Sequence, residues 1–496
     1  MKEYTPRRPS ALLSLVPVVV LAGLLFFTIR SFGSDALNGG SQIVLLTATA
    51  VCSLIAMLRC RVKWKTIEQS IVGNITGVST ALLILLLIGA LAGSWMVSGV
   101  VPTLIYYGMK LIHPGVYLFS TCAICAVVSV ITGSSWTTVA TIGIALLGVG
   151  QAQGFDEGWI AGAIISGSYF GDKVSPLSDT TVLASSVTET PLFTHIRYLM
   201  ITTVPSMTLA LLIFLAAGLM HDAPEAERMT GYAASLKDTF FISPWLLLAP
   251  LATGILIARR APALVTLFVA AMLGGVFAFF FQPGLLEGIG GGEAGDMASR
   301  FKGMLITFYG NTGIETGNAG LDELVSTRGM GGMMNTVWLI LCAMSFGGAM
   351  SASGMLGSII SVFFRFMKRT VGMVTSTVVS GLLFNITTGD QYMSIMLTGS
   401  MFKDIYRKLG YEDRLLSRTT EDAVTVTSPL IPWNTCGMTQ ATVLGISTFT
   451  YLPYCFFNIL SPLMSVLVAA LGYKIYRRSE AGACPPDLSM IPIDGD

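Results

Sequence analysis

Long apolar runs separated by short polar stretches make up most of the chain. A helix needs about 20 largely apolar residues to cross the hydrocarbon of a bilayer. Such runs occupy 11–29, 41–58, 79–101, 198–220, 244–258, 262–281, 333–351 and 453–473, and each predicts a membrane-spanning helix. The first follows Arg7 and Arg8, yet it is long, lacks a convincing small-residue cleavage site and precedes many further spans. It therefore reads as a transmembrane helix rather than a removable leader.

Two apolar stretches do not read as simple spans. The first, 115–150, is interrupted by Gly133-Ser134-Ser135-Trp136-Thr137-Thr138, and the second, 371–403, by Asn385-Ile386-Thr387-Thr388-Gly389-Asp390. Each reads as helix, polar break, helix. A further break follows each: Ser175-Pro176-Leu177-Ser178-Asp179-Thr180, then Ser428-Pro429-Leu430-Ile431-Pro432-Trp433-Asn434-Thr435. Gly389 lies 256 residues after Gly133, and Ser428 lies 253 after Ser175. Two breaks recurring in order at nearly one offset predict an internal repeat.

Charge orients the repeat. Cytoplasmic loops collect Lys and Arg, which places inside the amino terminus, Arg59 to Lys65, Arg259 and Arg260, Arg365 to Arg369, Lys403 to Arg418, and Lys474 to Arg478. The loops 31–40, 221–240 and 282–300 then fall outside. The loop after the first hairpin, Gln151 to Glu157, carries no cation, whereas its counterpart 403–418 is strongly basic, so the two halves face opposite ways. The prediction is an all-α polytopic membrane protein of about ten crossings, with inverted-topology repeats containing two re-entrant hairpins and two broken helices, both termini cytoplasmic. Residues 1–78 form amino-terminal helices. Repeat 1 occupies 79–220, with hairpin 115–150 and broken helix 158–190; 221–332 connects; repeat 2 occupies 333–475, with hairpin 371–403 and broken helix 422–447; 476–496 is a tail. Broken backbone at membrane depth is tolerated where it is buried or lines a cavity, which is the pattern of secondary transporters.

Composition agrees. Hydrophobic residues make up 53% of the 496 and charged residues 11%, against roughly a quarter charged in soluble domains, which all but excludes a soluble fold. A net charge of +1 gives no reason to expect a nucleic-acid partner. Of eight cysteines, six lie in apolar runs, and Cys122 and Cys125 share a helix face as small packing residues. No phosphate-binding loop, catalytic triad or metalloprotease helix is present, so neither an ATP motor nor a hydrolytic nucleophile is expected and coupling must come from an ion gradient.

Sodium prefers oxygen ligands, which unwound backbone, hydroxyls and carboxylates supply. The first pair of breaks offers Ser134, Ser135, Thr137, Thr138, Ser175, Ser178, Asp179 and Thr180; the second offers Thr387, Thr388, Asp390, Thr427, Ser428, Asn434 and Thr435. A carboxylate in low dielectric can bind sodium or a proton in turn, and Asp179 and Asp390 are expected to be those sodium-binding groups, with helix capping as their alternative role. Asp172 precedes Lys173 and reads either as half of a structural pair or as a transport residue. Glu189, His195 and Arg197 read as solvated interfacial charge, with pH sensing by His195 as the alternative. Glu421 and Asp422 are expected to open the second broken helix at the cytoplasmic side, stabilising its dipole. Trp136 and Trp433 either wall a cavity or pack a hairpin tip.

The run from Gly167 through Tyr169, Asp172 and Lys173 to Ser175-Pro176-Leu177-Ser178-Asp179-Thr180, followed by Thr188-Glu189-Thr190-Pro191, resembles the NhaC family of sodium/proton antiporters, as does Thr427 to Thr435. The resemblance covers nearly the whole chain. It implies a scaffold domain and a moving transport domain working by an elevator motion, no cofactor, sodium and protons as transported species, a bacterial cytoplasmic membrane and a lipid-bilayer setting; a homodimer is compatible with it. The family also includes exchangers of protonated malate for sodium and lactate, so small carboxylates are the alternative cargo. Against them, Lys173 is the only cation near any break, whereas a dicarboxylate calls for positive partners.

Overall fold

The computed structural model describes residues 9–32, 39–221, 226–259, 261–317, 321–322, 325–362, 367 and 369–478. Arg7, Arg8, Arg260, Arg365 and the tail beyond 478 lie outside them. The described chain is helical throughout, with an isolated bridge between Tyr411 and Arg477. In order, the helices are α1 (Ala11–Phe32), α2 (Gly40–Leu58), α3 (Trp64–Gly77), α4 (Ser79–Val97), α5 (Val100–Leu111), α6 (Tyr117–Thr132), α7 (Ser135–Thr138), α8 (Ile144–Ala152), α9 (Glu157–Val174), α10 (Asp179–Val187), α11 (Leu192–Leu219), α12 (Ala226–Thr239), α13 (Leu248–Ala258), α14 (Ala263–Phe281), α15 (Pro283–Gly290) and α16 (Met297–Tyr309). There follow α17 (Gly329–Gly332), α18 (Met334–Ala352), α19 (Met355–Ser361), α20 (Thr370–Thr388), α21 (Gln391–Lys408), α22 (Asp413–Thr420), α23 (Thr435–Leu444), α24 (Thr448–Tyr451) and α25 (Phe456–Ala470).

Among the described residues nine helical segments are long and apolar enough to cross a membrane, or up to eleven if two bent pairs each count as one span. The apolar runs at 11–29, 41–58, 79–101, 198–220, 262–281 and 333–351 fall on such segments. The runs at 244–258 and 453–473 belong to the bent pairs, at 85° and 55° respectively. Pro114–Thr132, Ser135–Ala152 and Thr370–Thr388, which the sequence pattern assigns to the two hairpins, also meet the length test.

Both hairpin breaks fall on glycine. Gly133 ends α6 at φ 67° and Gly389 ends α20 at φ 68°, a left-handed conformation that costs other residues roughly 1–2 kcal/mol. Contact removes the remaining freedom at Gly133, where a Cβ would lie 2.7 Å from the Leu177 carbonyl carbon. The tip of the first hairpin is thereby seated against the first broken helix, and α6 packs along α9 beside it.

The broken helices differ from expectation in one respect. The first is α9, a Ser175–Ser178 break and α10, as the sequence implies. The second begins at Asp413, passes through a π-turn at Glu421–Thr425 and a short 3-10 turn at Ser428–Leu430, and resumes as α23 at Thr435. Glu421 and Asp422 therefore lie within the run, wholly buried, rather than opening it at the surface. Their neighbours Leu415, Leu416 and Arg418 are also buried, so the segment enters the protein earlier than the apolar pattern suggests.

Candidate functional site

The first N–H groups of a helix have no intrahelical acceptor, and in the first half they go to side chains at the breaks. Ser134 caps α7 by accepting from the Thr137 N–H at 3.2 Å, and its hydroxyl also accepts from the Thr137 hydroxyl at 3.1 Å. The next orphan N–H, that of Ser135, crosses to the other break and donates to Asp172 Oδ2 at 3.2 Å, while the Ser135 hydroxyl donates to the same oxygen at 2.6 Å. Asp172 Oδ1 accepts from Ser178 at 2.6 Å, and Ser178 shares a 2.9 Å hydrogen bond with Thr180. Ser175 turns away, donating to the Val130 carbonyl at 2.8 Å. The buried carboxylate at this crossing is thus Asp172, ringed by Ser135, Ser178 and Thr180. Hydrogen bonds to an ionised group contribute about 1.5–3 kcal/mol each.

In the second half Asp390 caps α21, accepting from the Met393 N–H at 2.8 Å through Oδ1 and from the Thr435 hydroxyl at 3.2 Å through Oδ2. The Thr435 N–H meets the Gly389 carbonyl at 2.8 Å. Thr388 accepts from the Asp390 N–H at 3.2 Å and bonds Ser394 at 2.9 Å. Asn434 caps α23 through the Cys436 N–H at 3.1 Å and donates back to the Asn385 carbonyl at 3.2 Å. Trp433 pins the hairpin tip by donating to the Ile386 carbonyl at 2.8 Å.

The two halves make the same crossings. Ser135 bonds Asp172 across 37 residues, and Ser428 bonds Gln391 across 37 residues at 3.2 Å; both members are displaced by 256. Ser129 donates to the Ser168 carbonyl across 39 residues at 2.5 Å, and Asn385 to the Val424 carbonyl across 39 at 2.8 Å, again displaced by 256. The capping residues obey the same offset, Ser134 with Asp390 and Ser178 with Asn434. The equivalent of Asp172 is therefore Ser428, and the shared Ser-Pro-Leu tripeptides, 253 apart, are out of structural register by three. Each half keeps one buried carboxylate at its crossing, on the broken helix in the first and on the hairpin tip in the second.

The halves also touch. Gln440 donates to the Tyr169 hydroxyl at 3.4 Å, and Cys436, which donates to Gln391 at 2.5 Å, neighbours Tyr169 and Trp136. A cavity of about 500 Å³ lies beside α23, lined by Gln151, Glu157, Arg328, Thr336, Met438 and Thr442 among others.

Asp179, expected to be the buried carboxylate, is instead exposed at the first position of α10, because Ser178 takes the capping role and turns the next side chain outward. Asp172 and Lys173 are not a pair. Lys173 donates to Asp422, and to Ser461 at 2.8 Å, with all of these groups buried. His195 is buried rather than solvated and its Nδ1 meets the Ser417 hydroxyl. Glu189 does sit at the surface. The Arg407 guanidinium and then the Lys403 ammonium, at 2.7 Å and 2.5 Å, hold its carboxyl down at about 2.

Among the described residues no three His, Cys, Asp or Glu side chains gather as a metal cluster, and the cysteines described are free and buried. The carboxylate, hydroxyl and amide oxygens at the two breaks are donors suited to a hard monovalent cation rather than to a transition metal.

An all-helical chain with many apolar spans and polar helix breaks in its interior is a multi-pass membrane transporter. Residues 167–473 match the model of the Na+/H+ antiporter family. The chain is 38% identical over 428 residues to the Na+/H+ antiporter NhaC of Alkalihalophilus pseudofirmus, covering 86% of this chain and 90% of the relative. It is 33% identical to the malate-2H+/Na+-lactate antiporter of Bacillus subtilis, covering 93% and 96%, and 33% identical to the arginine/ornithine antiporter ArcD of Halobacterium salinarum, covering 96% and 97%. The chain belongs to the Na+/H+ antiporter family, the family of the NhaC proteins, whose members are transporters rather than enzymes.

Proposed function

We propose that the protein exchanges sodium for protons across the cytoplasmic membrane, binding the cation where each hairpin tip crosses its broken helix. The observation that carries this reading is the buried Asp172 carboxylate, held by Ser135 and Ser178 at 2.6 Å on either oxygen. Sodium takes the place of those hydrogen bonds beside the Asp172 carboxylate, the Ser135, Ser178 and Thr180 hydroxyls keeping their protons and rotating to turn their oxygen lone pairs toward the cation. Asp390, Thr388, Thr435, Asn434 and Ser428 form the corresponding set in the second half.

The recurring crossings favour inverted repeats, and the transport unit then consists of α6 to α10 and α20 to α23. It slides as an elevator against a scaffold that includes α4 and α18. The cavity between α4, α8 and α23 supplies an aqueous path on the side of the Gln151–Glu157 loop, which the charge bias places outside.

The malate/lactate relative favours a second reading, sodium-coupled exchange of an organic acid. Lys173, the cation closest in sequence to the breaks, is committed to Asp422, which leaves the Asp172 crossing without a positive partner for a carboxylate. Purified protein in acidic-interior liposomes decides between them. Sodium alone alkalinises the lumen on the first reading, and only sodium with malate or lactate does so on the second.

A further inference from the structure

Glu421 lies in the π-turn at the centre of the second broken helix, its side chain wholly buried. Neither of its oxygens has a partner at normal hydrogen-bonding distance, and the Thr425 hydroxyl, which faces the carboxyl from further off, has none at that distance either. An unpaired carboxylate anion is expensive to bury. The charged groups within its reach are Lys173 and Asp172 on α9 and its neighbour Asp422.

Their bonding leaves Glu421 without a cation of its own. Lys173 donates to Asp422 Oδ1, which also accepts from Ser461 at 3.0 Å and Thr202 at 3.1 Å. Arg418 on α22 is fully buried, with its Nε 3.9 Å from Asp422 Oδ2 and its guanidinium 4.7 Å from the Tyr198 ring centroid. From the remaining elements, α20 and α25 carry no ionisable side chain. On α21 Tyr406 is tied to Thr377 at 2.9 Å, His195 of α11 meets Ser417, and Asp179 of α10 is exposed. Among the described residues the cluster around Glu421 therefore holds two cations, Lys173 and Arg418, against three carboxyl groups, Asp172, Asp422 and Glu421, while Asp390, the fourth buried carboxylate of the two halves, sits apart at the other crossing with Thr435 and the Met393 N–H. One further positive charge balances the cluster.

We propose that Glu421 is the proton-binding group of the exchanger, separate from the cation site at Asp172, and that sodium at Asp172 and a proton on Glu421 alternate as that balancing charge. When sodium reaches Asp172, the carboxylic acid at Glu421 releases its proton and becomes the anion that the extra cation requires. When sodium leaves, the proton returns. This inference rests on the reading of Asp172 as a sodium site.

Sodium binding to the purified protein, measured by calorimetry alongside a pH dye in weak buffer, tests it. The wild type should release about one proton per sodium bound and lose affinity about tenfold for each pH unit of acidification in the range where Glu421 holds its proton. Glu421→Gln keeps the shape of the acid and should bind sodium without proton release and with a flat pH profile; release equal to the wild type overturns the proposal. Should that variant not fold, infrared difference spectra of the wild type replace it: sodium should remove a protonated carboxyl band, shifted in Glu421→Asp, and the absence of such a band overturns the proposal equally. Asp172→Asn separates the two readings, because sodium binding that survives it defeats the site assignment, whereas proton release that survives Glu421→Gln defeats only the proton site.

Discussion

Ser135 gives both its backbone N–H and its hydroxyl to one oxygen of Asp172, joining the tip of a hairpin to the end of a broken helix. Gln391 and Ser428, each 256 residues further on, are bonded at the equivalent crossing. A hydroxyl bonded to a charged group contributes about 1.5–3 kcal/mol and one bonded to a neutral group about 0.5–1.5 kcal/mol. Ser135→Ala should therefore raise the sodium concentration for half-maximal exchange by about 10- to 100-fold, and Ser428→Ala by about 2- to 10-fold. Equal effects would show that the two crossings are not distinguished by their carboxylate.

Asp179 occupies the first turn of α10 with an exposed side chain. Exposed charges contribute about 0–1 kcal/mol to a nearby interaction. Asp179→Asn is expected to retain sodium-driven proton flux, with apparent sodium affinity changed by less than about fivefold. Loss of flux from a folded variant would return Asp179 to the centre of the site.

The helix breaks were legible in the sequence because glycine beside hydroxyl-rich residues interrupts an apolar run, and Gly133 and Gly389 fall where the chain turns. The register of the later breaks was not, because matching Ser-Pro-Leu words align chemistry by letter while the hydrogen bonds align Ser178 with Asn434. Asp172 was overshadowed by its neighbour Lys173, whose actual partner, Asp422, lies 249 residues away. Local pattern carries no information about a partner at that separation. The sequence pattern puts Glu421 at the cytoplasmic opening of the second broken helix for the same reason, since its burial comes from packing against segments far away in sequence.

The proposed inverted arrangement of the halves predicts accessibility. Cysteine introduced at Glu157, an exposed position at the start of α9, should react with an impermeant thiol reagent from outside the cell. Cysteine at Lys408, exposed at the end of α21, should react only in inside-out vesicles. Labelling of both from one side contradicts the inverted arrangement.

Glu189 ties the end of the first broken helix to Lys403 and Arg407 on α21. Its folded carboxyl sits at about 2, against an ordinary 4.5. A depressed carboxyl contributes stability that is complete above the unfolded value and fades as the pH falls toward the folded one. Wild type should accordingly melt slightly above Glu189→Gln from pH 7 down to about 5, and the gap should close between about 4.5 and about 2. A gap independent of pH would assign the effect to something other than this ion cluster.

The most direct measurement is sodium-driven proton flux in liposomes reconstituted with wild type and with Asp172→Asn, a substitution close in size to the original. Sodium added outside an acidic lumen should alkalinise it rapidly with the wild type, potassium should not, and the folded Asp172→Asn protein should be indistinguishable from empty liposomes. Undiminished sodium-driven alkalinisation by Asp172→Asn, or none by the wild type without an organic acid, would contradict the account.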